Sequence, residues 1–473
     1  LIEASELGTV SLDLSARVHK NSPDEYMERI AQLYLNGTPI PQVHSDEAYI
    51  AALRRHYNCT IEQARNYSIV GCVEPNASDN HFGNTDCANV SLPMPFLQAL
   101  KGQDNDLWNY GNVIHLIRFQ MRFLKFIFSE RIIFSKYVNR FCDYVLYLTD
   151  YKRGVYKFKL VKSMDELLDR FQTRLNVLTK SILTDHQRIE KQLRAHFPTL
   201  LASSLFPACL RNGKDVYEGG CDFNSSGIQA VGVTDVADSF HAIEEVVFKK
   251  KLYTIPEIII ALEQNFRGEK NEQIRNALLA VPKFGEDGSQ ESIDWMNRVL
   301  EMYNKALDSV GNVPRNGRYS AGYYALNVCN RYGRNTPALP SGRLAGVPLA
   351  NSLTPHYGMP ANDLLSALNS MSKLDFAEHA ENGTTATLHI DSALFQGPNG
   401  AKNLAAIFKT YLTIGGMQLQ PNVINREILL EAYHNPEKHP YLLVRIAGYC
   451  EYFNALSDEM KRIVINRTLY SLN

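Results

Sequence analysis

Apolar residues recur at three-to-four spacing through much of this chain, and that period predicts most of its helices. In "SDEAYIAALRRHYNCTIEQARNYSI" the spacing and the Ser/Asp start predict a helix over residues 46–70. The longest helical pattern covers 163–199. Further helices are predicted at about 236–250, in "TIPEIIIALEQNF", in "SIDWMNRVLEMYNKAL" and in "GAKNLAAIFKTYLTI". Short runs such as "TATLHI", "MQLQPNVI" and the small-residue stretch "GGCDFNSSGIQAVGVTDVADS" read as strands or strand-and-loop segments. "GCVEPNASDNHFGNTDCANVS" (71–91) reads as a polar loop outside the core, and "RYGRNTPALPSGRLAGVPLANSLTPHYGMP" as a second loop region. Helices alternating with short strands predict an α/β fold built on a closed or partly closed sheet. No fixed repeat period is present.

Composition narrows the class. The chain has 473 residues, 45% hydrophobic and 21% charged, enough for a sizeable core. A net charge of −1 provides no field to recruit nucleic acid or an acidic membrane. Eight cysteines without a CxxC pair point to a reducing cytoplasm rather than a disulfide framework or zinc site. The longest uncharged stretch, "TYLTIGGMQLQPNVIN", is too polar to span a bilayer, and "LIEASELGTV" is not a signal peptide. Residues 113–162 stand apart, with eleven Lys and Arg against three Asp and Glu. An amphipathic basic helix meeting a membrane or partner is one reading; a surface helix with basic stems over apolar area is the plainer one.

Local chemistry is sparse. No glycine run matches the GxGxxG or GxxxxGK[ST] phosphate loops. His389 and Asp391 alternate on a predicted strand and share a face, but no third partner accompanies them, so a structural role is favoured. "GCVEP" places Cys72 and Glu74 two residues apart, on one side of an extended backbone. A carboxylate beside a thiol raises the thiol pKa and makes a poor thiolate nucleophile. A catalytic pair of this kind suits hydrogen-atom chemistry at sulfur, with the carboxylate as base toward substrate. In "LLVRIAGYCEYF" a glycine, Gly448, interrupts a segment that is otherwise rich in side chains.

"GCVEP" followed far downstream by "VRIAGYCEYF" resembles the glycyl radical enzymes, the family of pyruvate formate-lyase and its dehydratase and lyase relatives. Similar to that family too are "VTDVADS" (233–239), "TPALPSGRLAGVPLANSLTPHYG" (336–358) and "GGMQLQPNVINREILLEAYHNPEKHPYLLVRIAGY" (415–449). The resemblance implies a ten-stranded α/β barrel. It divides the chain into a barrel portion, 1–340, carrying Cys72, and a glycine radical portion, 341–473, carrying Gly448. Family members are longer, so the chain reads as the C-terminal part of a longer sequence.

The resemblance further implies a stored backbone radical on Gly448, with no bound cofactor. A separate activating enzyme, using S-adenosylmethionine and an iron–sulfur cluster, installs it. Cys72 then acts as a thiyl on the substrate and Glu74 removes a substrate proton. Gly71 stands where formate-producing members have a first cysteine, so Cys72-x-Glu74 resembles the eliminating branch. That branch acts on small hydroxylated substrates and releases water, an amine or sulfite. Arylacetate decarboxylation and formate acetyltransferase-like chemistry are alternatives within the family, and a catalytically inactive scaffold is an alternative outside it. Asn76, His81, Asn84, Thr85 and Asp86 are the candidate substrate contacts, with His81 a candidate acid. Cys87 is expected to be a bystander. Cys450 stands where Ser is commoner, and is expected to quench or relay the radical. The implied assembly is a homodimer.

Overall fold

The computed structural model describes residues 15–102, 160–286, 288–311, 313–324, 328–356, 363–446, 448–466 and 469–470. The basic stretch 113–162 falls outside them except for its last three residues. Two compact units are present, one of Leu1–Pro95 with Leu175–Asn473 and the other Phe96–Arg174. All that follows concerns the first, apart from the opening turns of the helix Met164–His196.

Its strands are β1 (Ser15–Val18), β2 (Gln42–Ser45), β3 (Ser68–Val70), β4 (Glu74–Asn76), β5 (His81–Ser91) and β6 (Phe223–Val231). The remainder are β7 (Arg318–Gly322), β8 (Thr387–Ile390), β9 (Gln418–Val423), β10 (Leu443–Arg445), β11 (Cys450–Tyr452) and β12 (Leu469–Tyr470). β5, β6 and β7 form one parallel sheet. A parallel bridge from Tyr323 to Thr384 links its edge to β8, which pairs parallel with β9 and β12. β9 meets β2 antiparallel, and β2 runs parallel to β1. The wall thus consists of two sheets, β5–β6–β7 and β12–β8–β9–β2–β1, joined by that bridge, with β2 and β1 opposite in direction to the rest. This α/β wall is the barrel architecture expected from the resemblance. It also joins strands from both sides of residue 340 in one sheet.

Helices cover the outer face of the wall, which is why β6, β8 and β9 are buried along nearly their whole length. In β9, "QLQPNV", Gln418, Gln420 and Asn422 alternate with Leu419, Pro421 and Val423. Gln418 Nε2 bonds Gln42 Oε1 (3.1 Å), and Gln420 donates to Thr387, so one face of β9 is apolar and the other an amide ladder. A separate apolar cluster of Ile424, Leu429, Val444, Ile446, Phe453 and Val464 anchors the C-terminal hairpin β10–β11.

Two expectations need correction. The helix placed over 46–70 is Asp46–Tyr57, capped by Ser45 and ended by Asn58 in the left-handed conformation (φ 49°). Thr60 then opens a short helix, Ile61–Arg65, through a capping box with Gln63, and β3 follows. The stretch 71–91, expected to be a loop outside the core, is a turn, β4, one 3-10 turn and the eleven-residue β5. β5 pairs with the β6 ladder, and polar side chains such as Asn76, His81 and Asn84 bond to backbone groups or to Ser225 and Glu190. The helix expected over 163–199 is observed as Met164–His196.

Candidate active site

Two hairpin tips meet in this unit. β3 and β4 pair antiparallel, Val70 against Glu74, leaving Gly71, Cys72 and Val73 as the turn. Gly71 has φ +64°, and a Cβ there would lie 2.9 Å from a Glu74 carboxylate oxygen, so both conformation and space favour glycine. The turn folds the Glu74 carboxylate back on its own backbone. Glu74 Oε2 accepts from the N–H groups of Cys72 (2.7 Å) and Val73 (2.6 Å). Tyr49, fully buried on the helix Asp46–Tyr57, donates to the Val73 carbonyl (3.0 Å) and holds the tip from behind.

The second tip is the turn between β10 and β11, which pair Arg445 against Cys450 and close with Ile446 N–H to Tyr449 O (3.0 Å). Gly448 is buried there. A Cβ built on Gly448 would overlap the sulfur and Cβ of Cys72 and lie 3.2 Å from its Cα. The Cys72 thiol is therefore in van der Waals contact with the Gly448 α-carbon, and no other residue type fits. The buried Arg445 secures this tip, donating to Gly448 O (2.9 Å), Gln42 Oε1 (3.0 Å) and Gln420 Oε1 (3.3 Å). Phe453 is buried in the apolar cluster, whereas Tyr449 is 39% exposed. Cys450 is buried, its sulfur 3.5 Å from Arg445 Nη1 and 3.7 Å from the Pro39 carbonyl.

Glu74 itself is 2% exposed, and burial raises its carboxyl pKa above the ordinary glutamate value; the Val73 N–H and the nearby Tyr324 and Thr85 side chains pull the other way. Burial likewise pushes the Tyr324 phenol well above its usual range, and the Glu74 charge adds to this. Beside Glu74 the β5–β6 register breaks: Asn84 faces Ser226 and Ala88 faces Ile228, so Thr85, Asp86 and Cys87 bulge opposite Gly227. The bulge turns the Thr85 carbonyl toward three donors, Tyr324 Oη (2.8 Å), Asn382 Nδ2 (2.9 Å) and Gln229 Nε2 (3.0 Å). Gly227 leaves room for that carbonyl, which a Cβ would strike.

The other expected contacts are arranged as follows. Asn76 is buried and donates to His81 O (3.2 Å), leaving its Oδ1 without a hydrogen bond among the described residues. His81 is 1% exposed. Its Nδ1 accepts from Ala77 N–H (3.0 Å), so its neutral ring carries the proton on Nε2, 3.0 Å from Ser225 Oγ. Burial, then Arg315, lowers the His81 pKa to about 3. Asn84 donates to Glu190 (3.2 Å), which also meets Arg315. Against the desolvation of burial, His186 and Arg315 hold that carboxyl down at about 2. Asp86 keeps exposed surface, yet the protein around its carboxyl raises its pKa by desolvation. The Cys87 thiol bonds Asn84 O (3.0 Å), and burial pushes its pKa up to about 12. His389 and Asp391 do not pair: His389 meets Asn422 (3.3 Å), and Asp391 caps Ala393 N–H (2.9 Å). Tyr49, Gln229, Tyr324 and Asn382 were not singled out from the sequence. The polar alternation of Gln418, Gln420 and Asn422 within an apolar strand was a legible signal of an interior face.

Comparison with known proteins agrees with this geometry. The Pyruvate formate lyase-like family model matches residues 3–114 and 151–333, and the Glycine radical model matches 349–454, spanning both hairpin tips between them. The chain belongs to the pyruvate formate lyase-like family. Among curated members, it is 30% identical to trans-4-hydroxy-L-proline dehydratase of Clostridioides difficile over 65% of this chain and 38% of that one. It is 26% identical to (2S)-3-sulfopropanediol dehydratase of Klebsiella oxytoca over 96% of this chain and 50% of that one. The glycerol-bound B12-independent glycerol dehydratase from Clostridium butyricum superposes with TM-score 0.83 at 28% identity, over 100% of this chain and 54% of that one. The chain thus spans about half the length of these pyruvate formate lyase-like relatives. The segments "VTDVADS" and 336–356 pack together in the scaffold: Asp235 accepts from Ala350 N–H (2.9 Å) and Ser239 from Ser341 N–H (3.1 Å). Among the described residues no helix is long and apolar enough to cross a membrane.

Proposed function

We propose that this chain supplies the thiol and glycine of a glycyl radical lyase acting on a small hydroxylated substrate. The contact between the Cys72 sulfur and Gly448 carries the reading. A glycine α-radical is stabilised when the carbon flattens between two amides, and an oxygen-sensitive radical needs burial, which Gly448 has. A radical-S-adenosylmethionine activating enzyme removes one hydrogen atom from Gly448. The glycyl carbon then takes the hydrogen of Cys72 S–H, leaving a thiyl. The thiyl takes a hydrogen from a substrate carbon that bears a hydroxyl, and Glu74 accepts the hydroxyl proton. The resulting ketyl-like radical expels the group on the neighbouring carbon, and the product radical recovers its hydrogen from Cys72 S–H.

The raised pKa of Glu74 suits a base of this kind, because a buried carboxylate recovers in proton affinity what it lost in hydration. Dehydratases acting on hydroxyproline, sulfopropanediol and glycerol among the relatives support elimination over acyl transfer, as does Gly71 in place of a second cysteine. Asn76, Thr85 and Asp86 would line the substrate side of the bulge. Asn84 and His81 would position it from behind, since both are committed to protein partners. Residues 1–340 would supply the thiol portion and 341–473 the glycine portion, working as a homodimer in an anaerobic cytoplasm. The test is anaerobic incubation of activated protein with small diols, hydroxylated amino acids and hydroxysulfonates, with carbonyl products and released sulfite quantified. Product that forms equally with the Cys72→Ala variant would exclude the reading.

A further inference from the structure

Away from the two hairpin tips, the helix Val233–Ile243 runs into a π-helical turn, Glu244–Lys249, a distortion common at ligand sites. His241 and Glu245 stand four residues apart across that junction. Glu291 comes from the first turn of a neighbouring helix, Gln290–Asp308. One ligand atom from each of the three lies within 4.8 Å of the others. We propose that His241, Glu245 and Glu291 form a divalent-metal site of the zinc type, tying these two helices together.

The buried histidine is the independent sign. His241 is 1% exposed, and neither ring nitrogen has a hydrogen-bond partner among the described residues, although the Pro282 carbonyl lies nearby. An imidazole in such a place normally finds a donor or acceptor. Its Nε2 stands 3.6 Å from Glu291 Oε2, too far for a hydrogen bond. It is close to the separation that a shared metal imposes: bonds of about 2.1 Å at a tetrahedral angle put ligand atoms roughly 3.4 Å apart. Glu291 is mostly exposed and gives the ion an entry path and room for water as a fourth ligand. Glu245 meets Lys249 (2.8 Å) and Lys250 (3.4 Å), exposed ammonium groups that compete with a metal for its carboxylate.

The test uses the full chain, stripped with chelator and titrated with Zn2+ alone by calorimetry, with Co2+ as a spectroscopic substitute. One saturable equivalent is expected, weakened at least tenfold in Glu291→Gln and in His241→Asn. Lys249→Ala should bind more tightly, because it removes the competing cation. His241 is buried and its variant risks misfolding; Glu291 is exposed, so its variant decides alone if necessary. The Co2+ spectrum should lack thiolate charge transfer. No saturable binding, unchanged affinity in Glu291→Gln, or a thiolate spectrum from the chain's cysteines would overturn the proposal.

Discussion

The sulfur of Cys72 rests on the α-carbon of Gly448, where the tip of one hairpin meets the tip of another. Neither tip is held by its own turn alone. Tyr49 and the Glu74 carboxylate fix the first, and Arg445 fixes the second through Gln42 and Gln420. Bringing a thiol and a glycine into contact is therefore work done by the barrel's polar interior.

Gly71→Ala should disturb this contact from the thiol side. The position has φ +64°, where an L side chain is strained by about 1–2 kcal/mol, and its Cβ would meet the Glu74 carboxylate. Denaturant unfolding should show a loss of that order, and substrate turnover should fall much further than glycyl radical yield. Equal loss of both would mean that the turn is only a structural element.

Glu74→Gln should leave the radical in place and reduce turnover by ~10²-fold or more, the usual contribution of a general base. In the wild type the base must be ionised, so kcat/KM should rise with pH through a pKa above the ordinary 4.5. Stability runs the other way. The folded state holds the Glu74 proton more tightly than the unfolded state, so this group's contribution declines as pH rises from the unfolded value to the raised folded one. An acid limb at or below the usual carboxylate value would contradict the assignment.

His81 makes an opposite contribution. Its folded pKa of about 3 lies below the ordinary 6.5, so the unfolded chain binds the extra proton first. The stability it provides is complete above about pH 6.5 and is lost progressively toward pH 3. His44, also held near 3 chiefly by burial, acts in the same direction. Urea unfolding of His81→Asn between pH 7 and 5 should show a shallower pH slope than wild type. An identical slope would show that His81 is not buried neutral.

Cys450→Ser should preserve the glycine radical. The Cys450 sulfur sits between Arg445 and the Pro39 carbonyl, and serine can occupy that place. If the variant stored markedly more radical, Cys450 would be the quencher its sequence position suggests; if it stored none, Cys450 would be a necessary relay.

Much of this site could be read from sequence because its chemistry sits in contiguous motifs. Gly71, Cys72 and Glu74 share one turn, and Gly448 interrupts a run of bulky residues. The residues that the sequence did not disclose act across long separations. Tyr324 and Asn382 reach the Thr85 carbonyl where β5 bulges by three residues that have no ladder partner in β6. The polar stretch 71–91 looked unlike core because barrel strands can bury polar side chains when a ladder and neighbouring amides satisfy them.

The central claim is that Gly448 stores an unpaired electron that Cys72 draws upon. Removing one hydrogen from a glycine α-carbon leaves one behind, and its coupling splits the electron resonance into a doublet. Anaerobically activated protein should give that doublet, which should collapse to a singlet with α-deuterated glycine and vanish in Gly448→Ala. In Cys72→Ala the doublet should persist while turnover is lost. A radical signal that survives Gly448→Ala, or one that ignores glycine deuteration, would contradict the account.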